Sequence, residues 1–136
     1  MKRTEASRAR ARLQQTERAR EEQVETLLQA DAMVAGSFVR QTRTCGKSGC
    51  RCARGERHVA TYLSRSVGGL TQMVYVPGGD EVAVSTKADR YRRFREARAA
   101  LMKLASETAQ AADALQGALT EPYPKGERRR RPSRKR

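Results

Sequence analysis

Three cysteines and the only histidine of the chain fall within one short stretch, Cys45-Gly-Lys-Ser-Gly-Cys50-Arg-Cys52-Ala-Arg-Gly-Glu-Arg-His58. The spacing is C-x4-C-x-C-x5-H, and the residue types are the soft and borderline ligands that a structural zinc takes four at a time. Gly46 and Gly49 give the backbone the freedom to turn between the first two ligands. Cys50 and Cys52, two apart, are expected on one face of an extended segment. Three thiolates and one Zn²⁺ leave a charge of −1, and Lys47, Arg51 and Arg54 are near enough to offset it and to lower the thiol pKa values. The bland alternative is three free or redox-active thiols beside an unrelated surface histidine. A catalytic metal fits less well, because four protein ligands leave no open position and only Glu56 is at hand as a base.

The second chemical feature is charge. The chain of 136 residues has 29 bases against 15 acids, a net charge of +14. Arginine, suited to bidentate phosphate contact, predominates among the bases. Coding bias explains arginine over lysine but not the sign imbalance, so an anionic polymer is the expected partner. Between residues 37 and 57 stand Arg40, Arg43, Lys47, Arg51, Arg54 and Arg57, with Arg65 on the strand that follows. These seven are candidate nucleic-acid contacts, clustered around the proposed metal, with Tyr62 and Tyr75 interleaved. Residues 120–136 form a basic tail, expected to be disordered by itself, whose Arg128, Arg129, Arg130, Arg131, Arg134, Lys135 and Arg136 would neutralise phosphates without reading sequence. The run Arg90, Arg92, Arg93, Arg95 and Arg98 is expected to be a solvated helix face.

The elements that must carry these groups follow from periodicity. Residues 1–35 form a first segment, helical from about Thr4 to Ala35, with a polar, solvated first half and a stickier second half, and with Gly36 as its stop. Residues 36–119 hold the Cys/His knuckle in a loop over 37–57, a β-hairpin over 58–76 and a long second helix. Counting outward from Gly68-Gly69, a dipeptide suited to a type I′ turn, sets Tyr62 opposite Tyr75, Leu63 opposite Val74 and Thr61 opposite Val76. Leu63, Val74 and Val76 then share one face; Tyr62, Met73 and Tyr75 share the other. Asp80 is a candidate helix cap, and Val82-Ala83-Val84 by itself suits a helix or a third strand. Phe94, Ala97, Leu101, Leu104, Thr108, Ala111, Leu115 and Ala118 form a heptad seam. Its expected partner is the first helix, packed antiparallel through Val24, Leu27, Leu28 and Val34 against Tyr91, Phe94 and Leu101, or else a second copy in a weak homodimer.

Only 38% of residues are hydrophobic and 4% aromatic, with no tryptophan. Stability must therefore draw on metal or association as well as on a thin core. No signal-peptide pattern or membrane-length apolar run occurs, which points to a reduced, cytoplasmic, nucleoid-associated protein with no membrane partner. An enzyme is not expected: there is no second histidine, no paired-carboxylate site and no phosphate-binding glycine loop, and no small-molecule substrate is indicated.

The stretch from Gly36 to about Leu104 resembles an uncharacterised family of small bacterial proteins, a domain of unknown function. The residues that carry the likeness are Gly36-Ser37, Cys45-Gly46-Lys47, Cys50-Arg51-Cys52-Ala53, Gly55, His58, Tyr62-Leu63-Ser64, Tyr75-Val76-Pro77 and Tyr91-Arg92-Arg93-Phe94. Val59-Ala60 stands where the family usually has Gly-Pro. The resemblance implies that the Cys/His set acts as a unit and that residues 81–85 are helical. It also implies an association with mobile-element genes. The expectation is thus an α+β protein: a long N-terminal helix, a zinc knuckle with a two-stranded antiparallel hairpin, and a long C-terminal helix ending in the basic tail. Its expected role is that of a non-enzymatic DNA-binding accessory protein, serving a transposase or recombinase. A helical protein-interaction adaptor whose charge only confers solubility, or an RNA-binding protein, are the competing readings.

Overall fold

The computed structural model describes residues 2–123, so the tail bases from Arg128 to Arg136 lie outside the described residues. Helix α1 spans Lys2–Leu28, strand β1 Ser37–Arg43, β2 His58–Val67, β3 Leu70–Tyr75, and helix α2 Glu81–Leu119. The strands form one antiparallel sheet in the order β1-β2-β3. The two helices pack against each other antiparallel, the start of α1 beside the end of α2. None of the described helices is long and apolar enough to cross a membrane.

The hairpin forms in the register its turn dictates. Gly68 and Gly69 both take positive φ, +58° and +80°. Tyr62 pairs with Tyr75 and Leu63 with Val74, and the Val76 N–H donates to the Thr61 carbonyl at 2.8 Å. The tyrosine rings meet edge to face with centroids 6.0 Å apart. Leu63 and Val76 are buried with Ala88 of α2, and Val34, Phe38 and Val84 close around them. Val74 shares their face but stays 38% exposed.

Ser37–Arg43 is a strand where the sequence suggested loop, so the hairpin becomes a three-stranded sheet. The bases Arg40 and Arg43 masked it. At the sheet edge only Phe38 and Val39 are half-buried, which leaves too little alternation to recognise. Residues 81–85 are helical, and Asp80 makes no side-chain cap; instead its N–H closes a 3₁₀ turn on the Pro77 carbonyl at 2.9 Å.

Helix α1 stops at Leu28, short of Ala35. Asp31 Oδ1 accepts from the Ala32 N–H at 2.7 Å, a local bond that competes with the helical ladder. The connector is then held to α2: Val34 N–H donates to the Lys87 carbonyl at 3.2 Å and Arg90 to the Ala32 carbonyl at 3.1 Å. Gly36 does not end the helix. Its φ is +136°, and a Cβ there would lie 2.7 Å from the Ser64 carbonyl oxygen, so glycine lets β1 start tight against β2.

The most deeply buried residues of the helix pair are small, with Leu13, Val24 and Leu27 of α1 and Phe94, Leu101, Leu104 and Leu115 of α2 half-buried among them. Ala6, Ala9 and Thr16 of α1 and Ala97 and Ala111 of α2 are buried, so the first half of α1 is not the solvated rod its polarity suggested. The Thr16 hydroxyl is satisfied by the Leu13 carbonyl at 2.9 Å. Leu28 is 80% exposed and takes no part. Thr108 is exposed too, while the neighbouring Glu107 is half-buried.

Candidate metal centre

Cys45, Cys50, Cys52 and His58 converge where the β1–β2 pair opens. His58 begins β2 opposite Arg43, the last residue of β1, so the connection between them carries the first three ligands. Gly46, at φ +76°, lets the chain reverse after Cys45. Cys50 is extended, and a 3₁₀ turn over Arg51–Arg54 then swings Cys52 inward, closed by Gly55 at φ +113°. Cys50 and Cys52 therefore do not share an extended face, as their spacing suggested; the turn between them brings the sulfurs together. Gly55, and not Gly49, is the second glycine with a required left-handed backbone.

The four ligand atoms lie within 4.8 Å of one another. Cys45 Sγ is 3.4 Å from Cys52 Sγ, and Cys50 Sγ is 3.1 Å from His58 Nε2. A tetrahedral cation with bonds of about 2.3 Å to sulfur requires S···S edges of about 3.8 Å, so these donors need move only about an ångström. The set is chemically coherent: three sulfurs and one imidazole, with Glu56 the only acid in the loop and not among the four. Cys52 is buried, Cys50 half-buried, and Cys45 and His58 exposed. The cluster can hold a metal ion with every ligand supplied by the protein.

The local field already favours one thiolate. Hydrogen bonding from the backbone at Lys47, then from Cys52, His58 and Cys50, lowers the Cys45 thiol from near 9 to about 6. The Cys45 N–H also donates to Cys52 Sγ at 3.3 Å. That bond lowers the Cys52 thiol, but burial and the neighbouring sulfurs outweigh it and leave it above its ordinary value.

The structure sorts the candidate nucleic-acid contacts into three places. Lys47, Arg51, Arg54 and Arg57 surround the cluster and are exposed, with Arg43 at its root. Arg40 lies on the helix-side face, 3.9 Å from the Glu81 carboxylate, which also accepts from the buried Thr61 hydroxyl at 2.8 Å. Arg65 is not near the cluster: seven residues along β2 from His58, at about 3.3 Å per residue, place it roughly 23 Å away. Glu81 was not singled out from the sequence, and its position at the start of a helix was the signal available.

Charge is distributed unevenly between elements. Each helix has seven bases and five acids, whereas residues 37–76 have seven bases and one acid. Some of the helix charges pair locally: Arg20 with Glu17 at 2.6 Å, Arg92 with Asp89 and Glu96 at 2.6 and 2.9 Å, and Arg93 with Asp89 at 3.0 Å. Arg95 lies over the Tyr91 ring. Among the described residues, Arg40 is the one base of the sheet segment with a carboxylate within 4.0 Å.

These features define a small α+β protein in which a Cys₃His cluster able to hold a metal ion lies at the open end of a basic, three-stranded sheet packed on a helix pair. The chain belongs to a family described as a domain of unknown function (DUF6788), whose profile spans residues 10–84. That span includes all four ligand residues and all three strands. It reaches back into α1, beyond the Gly36 start that the motif residues suggested, and ends in the first turns of α2. No curated protein and no solved structure matches the chain.

Proposed function

We propose that the protein is a non-enzymatic nucleic-acid-binding protein in which a structural Zn²⁺, held by Cys45, Cys50, Cys52 and His58, fixes a basic platform for duplex DNA. The observation that carries this reading is the uneven distribution of charge: each helix sets seven bases against five acids, whereas residues 37–76 set seven against one. Bases without acidic partners on a cross-linked scaffold suit phosphate contact, since little side-chain or loop ordering remains to be lost on binding. Zinc is favoured among metals by three thiolates and an imidazole with no carboxylate. Its chemistry here is that of a cross-link. The tail from Lys125 to Arg136 would add affinity that falls with salt. The resemblance-based link to mobile-element genes supports service to a transposase or recombinase.

The test is fluorescence anisotropy with the full-length, zinc-loaded chain and a labelled duplex, competed by structured RNA. Binding at about 50 mM salt that weakens steeply with added salt is expected, with Arg51, Arg54 and Arg57 changed together to Glu weakening it further. Absence of binding under those conditions would refute the proposal, and preferential displacement by RNA would reassign the substrate. One zinc per chain in protein purified without added metal tests the cofactor.

A further inference from the structure

Among the described residues, strand β3 is a free sheet edge with no charge on it. All six residues of Leu70–Tyr75 are exposed, and their sequence, Leu-Thr-Gln-Met-Val-Tyr, contains no Lys, Arg, Asp, Glu or Pro. Proteins ordinarily protect such an edge with charge, proline, a bulge or a covering element, because open N–H and C=O groups template pairing. The other edge of this sheet is protected. Strand β1 carries Arg40 and Arg43, has Glu81 beside Arg40, and has α2 packed on it.

The hydrogen-bond pattern identifies which groups of β3 point outward. The Val76 N–H to Thr61 carbonyl bond makes Thr61 and Val76 a bonded pair. Antiparallel alternation then makes Leu63–Val74, Arg65–Gln72 and Val67–Leu70 bonded pairs as well. The N–H and C=O groups of Thr71, Met73 and Tyr75 are left facing away from β2. A two-fold axis through Met73 sets each of these opposite an equivalent outward-facing residue: Met73 opposite Met73, and Thr71 opposite Tyr75 of the second copy. All three pairs are then of the bonded type.

We propose that β3 pairs antiparallel with β3 of a second copy across this axis, joining two three-stranded sheets into one of six strands. The occupant is a second copy because an isologous contact must be complementary to itself. An antiparallel strand edge meets that condition, and a net charge of +14 makes other surfaces of two copies repel. The neutral strand is the path of least repulsion. The heptad seam of α2 is not available, since α1 already covers it. Growth stops at two copies because the remaining edges carry arginine.

Sedimentation equilibrium of the full-length, zinc-loaded chain tests this, over about 5 to 200 µM so that dissociation constants in that range are read directly. Wild type is expected to dimerise. Met73→Lys and Met73→Glu each place like charges on residues whose Cα atoms would lie about 5.5 Å apart, and each should raise the dissociation constant at least about tenfold. Mixing the two variants should restore dimer. Met73→Pro removes an N–H that β2 does not use and should also abolish pairing, with circular dichroism confirming that the monomer is folded. A monomeric wild type across the range overturns the proposal. So do a dimer that all three variants leave unchanged and a Lys/Glu mixture that stays monomeric.

Discussion

Removing the metal proposed for the cluster should unfasten the sheet and leave the helices standing. The ligands close the segment Cys45–His58, which connects two strands paired from Ser37↔Ser64 to Arg43↔His58. A cross-link closing a loop of about 14 residues restricts the unfolded chain by about 3 kcal/mol. With an unfolding entropy of about 2.1 cal/mol/K per residue over roughly 120 ordered residues, that loss lowers Tm by about 10 °C. The helices span 27 and 39 residues, whereas the turn carrying Cys52 spans 4. Ellipticity at 222 nm at room temperature should therefore change by no more than about a tenth, because most of the signal comes from segments the ligands do not touch. The assay is a thermal melt by far-UV circular dichroism with and without chelator, repeated on Cys50→Ala, which removes a ligand that is only half-buried. A Tm unchanged to within about 2 °C after verified metal removal would refute the idea that the cluster braces the sheet. Loss of a third or more of the helical signal would refute the independence of the helix pair.

Gly36→Ala should destabilise the protein by about 1–3 kcal/mol, since it combines a left-handed φ with a Cβ driven into the Ser64 carbonyl; a denaturant midpoint compared with that of Ala35→Gly reads it. Glu81→Ala strands the buried Thr61 hydroxyl and should cost about 1–2 kcal/mol, whereas Glu81→Gln, which keeps an acceptor, should cost less in the same measurement. In chelated protein, iodoacetamide should modify Cys45 before Cys52 at neutral pH, because the Cys45 thiol is lowered to about 6 and that of Cys52 is raised. The sign follows: a depressed thiol contributes its stabilisation in full above the ordinary value near 9 and loses it as pH falls through about 6, so the Cys45 rate should fall about tenfold per pH unit below that point. Mass spectrometry of tryptic peptides across pH 5–8 (from roughly one unit below that point to two above it) checks it.

The hairpin and the ligand set were legible because each is announced by rare residues at fixed spacing. Gly68-Gly69 fixes the turn, and everything out to Tyr62 and Tyr75 follows by counting. Three cysteines beside a sole histidine leave few other groupings. The antiparallel helix pair was legible from the α2 seam, but two contacts were not, and for the same reason: the first half of α1 on α2, and β1 on β2, rest on small side chains and backbone. Ala6, Ala9 and Thr16 bury little area and stand among arginines and glutamates, so hydropathy sees a solvated helix where close approach in fact produces a packed one. Strand β1 is held chiefly by its ladder to β2, with Arg40 and Arg43 exposed, so no alternation marks it.

Missing β1 changes the physics assigned to the cluster. If residues 37–57 were loop, a metal there would only order a loop. With Arg43 paired to His58, the same four ligands close the mouth of a strand pair whose other face carries Phe38 and Leu63 into the core. A metal cross-link there and the core would thus stabilise one ladder from opposite ends. The exposed bases of the connection, Lys47, Arg51, Arg54 and Arg57, then sit on a short, tethered arc whose position is set by the sheet. On the proposed nucleic-acid-binding role, that coupling predicts that chelation weakens anion binding at the arc even while the helices remain folded.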